Sequence, residues 1–127
     1  MRQFLIGRRK SFIFALDGVT YVFKTQKNAQ IHLVIIAIVF FFTIWLALPL
    51  ENIALIFLAI GLVLGAEFFN TAIETVIDLV RPDHHPLAKI AKDVCAGAVL
   101  ICAITAVFAG ICLFAPPLLS KLNLLPR

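Results

Sequence analysis

The sequence predicts an all-α integral membrane protein, with three transmembrane helices and an N-terminal amphipathic interfacial helix. Three observations carry this. Of the 127 residues, 62% are hydrophobic, more than a soluble domain this small can hide. Two long segments, Leu33 to Leu50 and Val94 to Ser120, carry no charge at all. The acids are concentrated: five of the seven lie between Glu67 and Asp93. The whole chain reads as one domain, 1–127.

The first element, 1–30, mixes basic and apolar residues. Arg2, Arg8, Arg9, Lys10, Lys24 and Lys27 alternate with Phe4, Leu5, Phe12, Phe14, Leu16, Tyr21 and Phe23. Phe12, Leu16, Val19 and Phe23 recur at helical spacing, which predicts a basic amphipathic helix lying in the membrane interface. No long apolar core follows the early charges, so a signal peptide is not expected.

The run LVIIAIVFFFTIWLALPL is long enough to cross the hydrocarbon layer and predicts a transmembrane helix over 31–49. After a short turn the second helix is expected over 52–80. Its 29 residues would reach roughly 43 Å, against roughly 30 Å of hydrocarbon, so its last turns must emerge. Residues 81–93 read as a polar loop, with Arg81-Pro82 ending the second helix. The third transmembrane helix is expected over 94–115, with Pro116-Pro117 as its stop. Basic residues crowd the N-terminal arm and the second loop but not the first turn. That asymmetry puts the arm and the second loop in the cytoplasm and the C-terminus outside. A net charge of +4 is then read as contact with anionic head groups and phosphates rather than nucleic acid. Cys95, Cys102 and Cys112 are odd in number, match no metal spacing, and read as small reduced residues.

The second helix carries the chemistry. At about 100° per residue, Glu67, Asn70, Glu74 and Asp78 fall on one stripe roughly 80° wide. A carboxylate at the centre of a membrane helix costs about 2.5–3.5 kcal/mol, so such a stripe is a functional-site hypothesis by default. No GxxxxGK[ST], HExxH or Ser/His/Asp order is present. What remains is a set of carboxylates beside Lys89 and Lys92 at head-group depth. These are parts for phosphoryl transfer: oxygens for Mg²⁺, a lysine against phosphate charge, and a base for the attacking hydroxyl. Glu67, the deepest acid, is placed as the base; Glu74, shallower, is better placed for a metal. The competing reading is that the acids merely pair with Lys or Arg of neighbouring helices. His84 and His85 are adjacent and point in different directions, so zinc is not expected.

EFFNTAIETVIDLV followed by HHPLAKIAKDVCAGAVL resembles the small prokaryotic diacylglycerol kinase and undecaprenol kinase family. The signature E-x-x-N-[ST]-A-[IL]-E-x-x-[IV]-D, then A-K-D, is met from Glu67 to Asp78 and from Ala91 to Asp93. The likeness covers about Ser11 to Leu113 and takes in SFIFALDGVTYVFKTQKNAQIH. It implies a homotrimer in the bacterial inner (cytoplasmic) membrane, multi-pass, with its active site facing the cytoplasm. It also implies ATP as phosphoryl donor, Mg²⁺ as cofactor and a lipid alcohol as acceptor. Glu67 would be the general base, Glu74 would hold Mg²⁺, and Asn70 would position groups beside the base. Asp83, His85, Lys92 and Asp93 would contact the nucleotide. Two positions depart from the family pattern. A nucleotide contact of the interfacial helix falls near Phe14, which has no hydroxyl. The second metal ligand, a glutamate in [TN]-E-R-N, is Gln26 in Thr25-Gln26-Lys27-Asn28. Glutamine keeps an oxygen but brings no charge; either the metal site is weaker or another acid compensates. The H-H-P-L-A-K segment looks closer to the undecaprenol branch, with diacylglycerol as the other acceptor. A catalytically weakened protein that keeps the fold, or an ion-conducting oligomer using Glu67 as a relay, would be alternatives of other classes.

Overall fold

The computed structural model describes residues 2–80 and 83–123, with side chains from residue 7 onward. It contains four helices: α1 (Arg2–Thr25), α2 (Lys27–Trp45), α3 (Leu50–Val80) and α4 (Pro86–Lys121). The last three are each long and apolar enough to cross a membrane. The all-helical class, with an N-terminal helix followed by three candidate membrane-spanning helices, is therefore observed, with helix bounds that differ from the sequence reading at several ends. The stop at Arg81-Pro82, Arg127 and the side chains of Arg2, Phe4 and Leu5 lie outside the described residues.

α1 and α2 are separated by a single residue. Gln26 is extended, at φ −97° and ψ 114°, and breaks what would otherwise be one helix. Its N–H donates to the Val22 carbonyl at 2.8 Å, and its carbonyl accepts from Gln30 N–H at 3.2 Å. The Gln30 side chain donates to the carbonyls of Phe23 and Lys24, at 3.1 and 3.4 Å. Two of the last carbonyls of α1 are thus satisfied by the helix that follows it. The first transmembrane helix consequently starts four residues before the expected 31.

It also ends four residues before the expected 49. Ala47 adopts φ 49°, a left-handed conformation. Ala47 N–H donates to the Ile44 carbonyl at 3.0 Å and Leu48 N–H to the Thr43 carbonyl at 3.2 Å. That pair of bonds is a Schellman cap, normally built on glycine. Thr43 and Leu48, the residues that flank the cap, are both buried. α3 starts at once, with the Pro49 carbonyl accepting from Ile53 N–H at 3.1 Å.

α4 differs most from expectation. It begins at Pro86, so 86–93 is helix, not loop. Proline at the first helical position forfeits no hydrogen bond. His85 caps the end: its Nδ1 accepts from Leu87 N–H at 3.2 Å. At the other end the helix runs through Pro116 and Pro117 to Lys121. The two prolines remove the bonds to the Cys112 and Leu113 carbonyls, a loss that membrane helices accommodate. Lys121 then clasps α4 to the end of α2. Its ammonium donates to the Trp45 carbonyl and lies 4.5 Å from the centroid of the Trp45 ring.

α3 packs mainly against α4, and α1 and α2 also contact α3. Most apolar side chains face outward: Leu58 is 70% exposed and Phe108 69%. In water such a surface would be untenable; in hydrocarbon it is the solvent-facing side.

Candidate active site on α3

The stripe is graded in depth. Glu67 is 2% exposed, Asn70 8%, Glu74 half-buried and Asp78 exposed. Thr71, also buried, donates its hydroxyl to the Glu67 carbonyl at 2.9 Å. This back-bond keeps the Thr71 hydroxyl satisfied inside the helix. Val22 and Ala29, one on each side of the α1–α2 corner, are buried too. Phe23 meets Phe68 edge-on at 5.7 Å, so the end of α1 packs beside Glu67.

Among the described residues, two buried oxygens have no hydrogen-bond partner: Glu67 Oε2 and Asn70 Oδ1. Orphaned oxygens at such depth are costly and call for an explanation. They lie one helical turn apart on the same face. A ligand that supplied a hydroxyl or a cation there would satisfy both.

The competing reading, acids as packing partners for lysine, can now be divided. Asp78 does pair with Lys92, an ion pair joining α3 to α4. Asp93 pairs with Lys89 at 2.6 Å within α4, with both side chains more than half exposed. Glu67 and Glu74 form no ion pair among the described residues. The exposed end of the stripe is therefore electrostatic cross-bracing, and the buried end is not.

The remaining site candidates are scattered around this end of the bundle. Asp83 is exposed just before α4, and His85 is half-buried as its N-cap. With Nδ1 used in the cap, Nε2 is the nitrogen of His85 that a ligand would meet. Gln26 is half-buried at the α1–α2 corner and makes no side-chain cap. Among the described residues no three His, Cys, Asp or Glu side chains lie close enough to hold a metal ion. The donors available are oxygens: Glu74, Gln26 and the unpartnered atoms of Glu67 and Asn70. That set fits Mg²⁺, which takes one or two protein carboxylates and fills its shell with phosphate and water.

The sequence reading passed over one residue. His32 lies half-buried on α2, where it is, among the described residues, the one ionisable side chain lining an apolar groove between α2, α3 and α4. The signal was available: a single histidine at the threshold of the charge-free segment beginning at Leu33.

Comparisons with known proteins point to one family. The model of the prokaryotic diacylglycerol kinase family matches residues 13–114. A diacylglycerol kinase of Synechocystis sp. is 50% identical over 114 residues, covering 87% of this chain; the chain spans only 63% of that protein's length. The undecaprenol kinase of Bacillus subtilis is 38% identical over 109 residues, covering 86% of this chain and 89% of its own length. A diacylglycerol kinase of Haemophilus influenzae is 29% identical over 103 residues, covering 80% of this chain and 87% of its own. No solved structure matches the chain significantly. The family match spans α3 and its unpartnered oxygens together with the helices that enclose them, and the chain belongs to the prokaryotic diacylglycerol kinase family.

Proposed function

We propose that the protein is an ATP-dependent kinase of a membrane lipid alcohol. The observation that carries this is the orphaned, buried oxygen of Glu67 on a membrane-spanning helix. A carboxylate held there without a cation is costly, and a costly ionisable group inside a membrane helix marks a functional site. In the proposed reaction the lipid oxygen bonds to the γ-phosphorus of ATP as the bond to the departing ADP oxygen breaks. Glu67 receives the proton of the lipid hydroxyl. Asn70, one turn along, steadies the hydroxyl or the transferring phosphoryl group. Glu74 and Gln26 would hold Mg²⁺, which neutralises phosphate charge when bound. His85 and Asp83 would meet the nucleotide at the start of α4. Lys92 would exchange its Asp78 partner for phosphate, and Asp93 would complete the nucleotide contacts.

Undecaprenol is the acceptor we favour. The B. subtilis relative named for it is spanned over 89% of its length, and the His84-His85-Pro86-Leu87-Ala88-Lys89 segment resembles that branch. Diacylglycerol is the second reading, favoured by the 50% identity to the Synechocystis relative. We also propose a homotrimer in the cytoplasmic membrane, its site on the cytoplasmic side and its C-terminus outside. A lone chain leaves Glu74 and Asp78 beside a largely apolar surface, which neighbouring copies would cover. Purified protein incubated with radiolabelled ATP, Mg²⁺ and each alcohol tests the reaction. Labelled lipid phosphate supports it, and its absence with every alcohol refutes it. A reporter fused after Arg127 tests the orientation, and activity only in the cytoplasm would refute that part.

A further inference from the structure

α1 and α2 meet at a break that the residue standing there does not explain. Gln26 is neither proline nor glycine, and glutamine is among the better helix formers. It makes no side-chain cap at the start of α2, and glutamine is outside the set of residues that cap well. An unbroken helix would give the Phe23 and Lys24 carbonyls to the N–H groups of Lys27 and Asn28, four residues on. Here both carbonyls accept instead from one side-chain amide, that of Gln30, at 3.1 and 3.4 Å. The backbone N–H of the same residue donates to the Gln26 carbonyl at 3.2 Å. Gln30 thus closes the last turn of α1 with its side chain and the first turn of α2 with its backbone.

The corner carries parts of the site. Val22 and Ala29, before and after the break, are both buried, Ala29 completely. Phe23, whose carbonyl Gln30 holds, meets Phe68 edge-on, and Phe68 follows Glu67 in the chain. Gln26, one of the oxygens offered to Mg²⁺, stands half-buried at the apex. Gln30 itself is exposed, and its two side-chain bonds go to α1, not to the stripe of α3. It lies in the first turn of a helix long and apolar enough to cross a membrane. An amide without partners is costly in apolar surroundings, which favours the closed corner.

Resting on the kinase reading, we propose that Gln30 is a positioning residue: its side-chain amide holds the α1–α2 corner bent, and the bend sets Gln26 and Phe23 against α3 beside Glu67. Without that amide the two carbonyls regain backbone partners when the chain straightens, with Lys27 and Asn28 N–H donating to them. Straightening carries α1 off α3 and takes the Gln26 oxygen with it. Gln30 therefore acts on the metal side of the site and not on the lipid alcohol.

The test removes the donors in the full-length protein in lipid nanodiscs and reads the corner apart from activity. Gln30→Leu keeps much of the side-chain volume and has no donor. Backbone hydrogen exchange at Lys27 and Asn28, resolved by NMR, should slow by roughly tenfold, about the worth of one hydrogen bond, as both N–H groups gain acceptors. In the same variant kcat should fall by up to about a hundredfold, the scale for a site group displaced by about 1 Å. The Mg²⁺ concentration for half-maximal rate should rise, and the KM for the lipid alcohol should stay unchanged. Gln26→Glu should lower the Mg²⁺ requirement in the wild-type background and leave it unmoved in Gln30→Leu, because the two positions act as one unit. Gln30→Arg, which keeps a planar set of N–H donors within reach, should restore both exchange and turnover. Gln30→Glu has the same shape with acceptors in place of donors; it should repeat the changes and replaces Gln30→Leu if that variant does not assemble. Unchanged exchange at Lys27 and Asn28 would overturn the proposal. So would altered exchange with kcat and the Mg²⁺ requirement unmoved, which would make Gln30 a structural clamp alone. Failure of Gln30→Arg to restore either readout would also count against it. If the wild-type protein phosphorylates no alcohol, the kinase reading fails by itself, and the exchange pattern still decides whether Gln30 holds the corner.

Discussion

Replacing Glu67 by glutamine isolates the proposed base from everything else it could be. The change keeps side-chain volume, so no cavity opens at a position only 2% exposed. It breaks no ion pair, because Glu67 has none among the described residues. The Thr71 hydroxyl bonds to the Glu67 backbone carbonyl, which the substitution leaves in place. A buried charge in a membrane helix carries a penalty of about 2.5–3.5 kcal/mol, and the neutral amide carries less. The variant should therefore unfold at the same temperature as the wild type or higher. Turnover should fall by about two to four orders of magnitude, the range for a lost general base. At about 1.36 kcal/mol per tenfold, that is roughly 2.7–5.4 kcal/mol of transition-state stabilisation. The assay is steady-state transfer from radiolabelled ATP in lipid nanodiscs, with binding of a non-hydrolysable nucleotide measured separately. Nucleotide affinity should be unchanged. A loss of turnover below tenfold, or an equal loss of nucleotide affinity, would refute the assignment of Glu67 as base.

Three further changes probe neighbouring parts. Glu74→Gln should raise the KM for Mg-ATP as well as lower kcat; an unchanged KM would remove Glu74 from the metal site. Gln26→Glu should lower the Mg²⁺ concentration for half-maximal rate and Gln26→Ala should raise it, since one adds a charge and the other removes an oxygen. No movement in either titration would show that Gln26 is not a ligand. Ala47→Gly should stabilise the protein by up to about 1 kcal/mol in thermal unfolding. Relief of the left-handed penalty at φ 49° outweighs the extra entropy of glycine in the unfolded chain. A lower unfolding temperature would contradict the cap described for α2.

The fold class and the buried stripe were legible because both are written in single-residue chemistry. Charge-free segments long enough for a bilayer crossing have few other uses, and Glu67, Asn70 and Glu74 share a face by helical period alone. The helix ends were less legible. The break at Gln26 carries no proline or glycine; it is fixed by Gln30 reaching back to the end of α1. The α2 cap uses alanine where glycine would announce it. Pro116 and Pro117 read as a stop by the rules for water, yet α4 continues through them. Pro86 reads as loop until His85 is seen capping the helix behind it. The ion pair of Asp78 with Lys92 joins residues fourteen apart and depends on how α3 meets α4. His32 was hidden for the same reason: its place in the groove lined by α2, α3 and α4 is a property of how the helices pack, not of any one helix.

Transfer of the γ-phosphoryl group is the most direct measurement. Purified wild-type protein in nanodiscs, given radiolabelled ATP and Mg²⁺ with undecaprenol or diacylglycerol, should yield labelled lipid phosphate, with undecaprenol the better acceptor. The yield should collapse in Glu67→Gln. Label on neither lipid, or label undiminished in Glu67→Gln, would contradict a lipid kinase built on the buried carboxylate of α3.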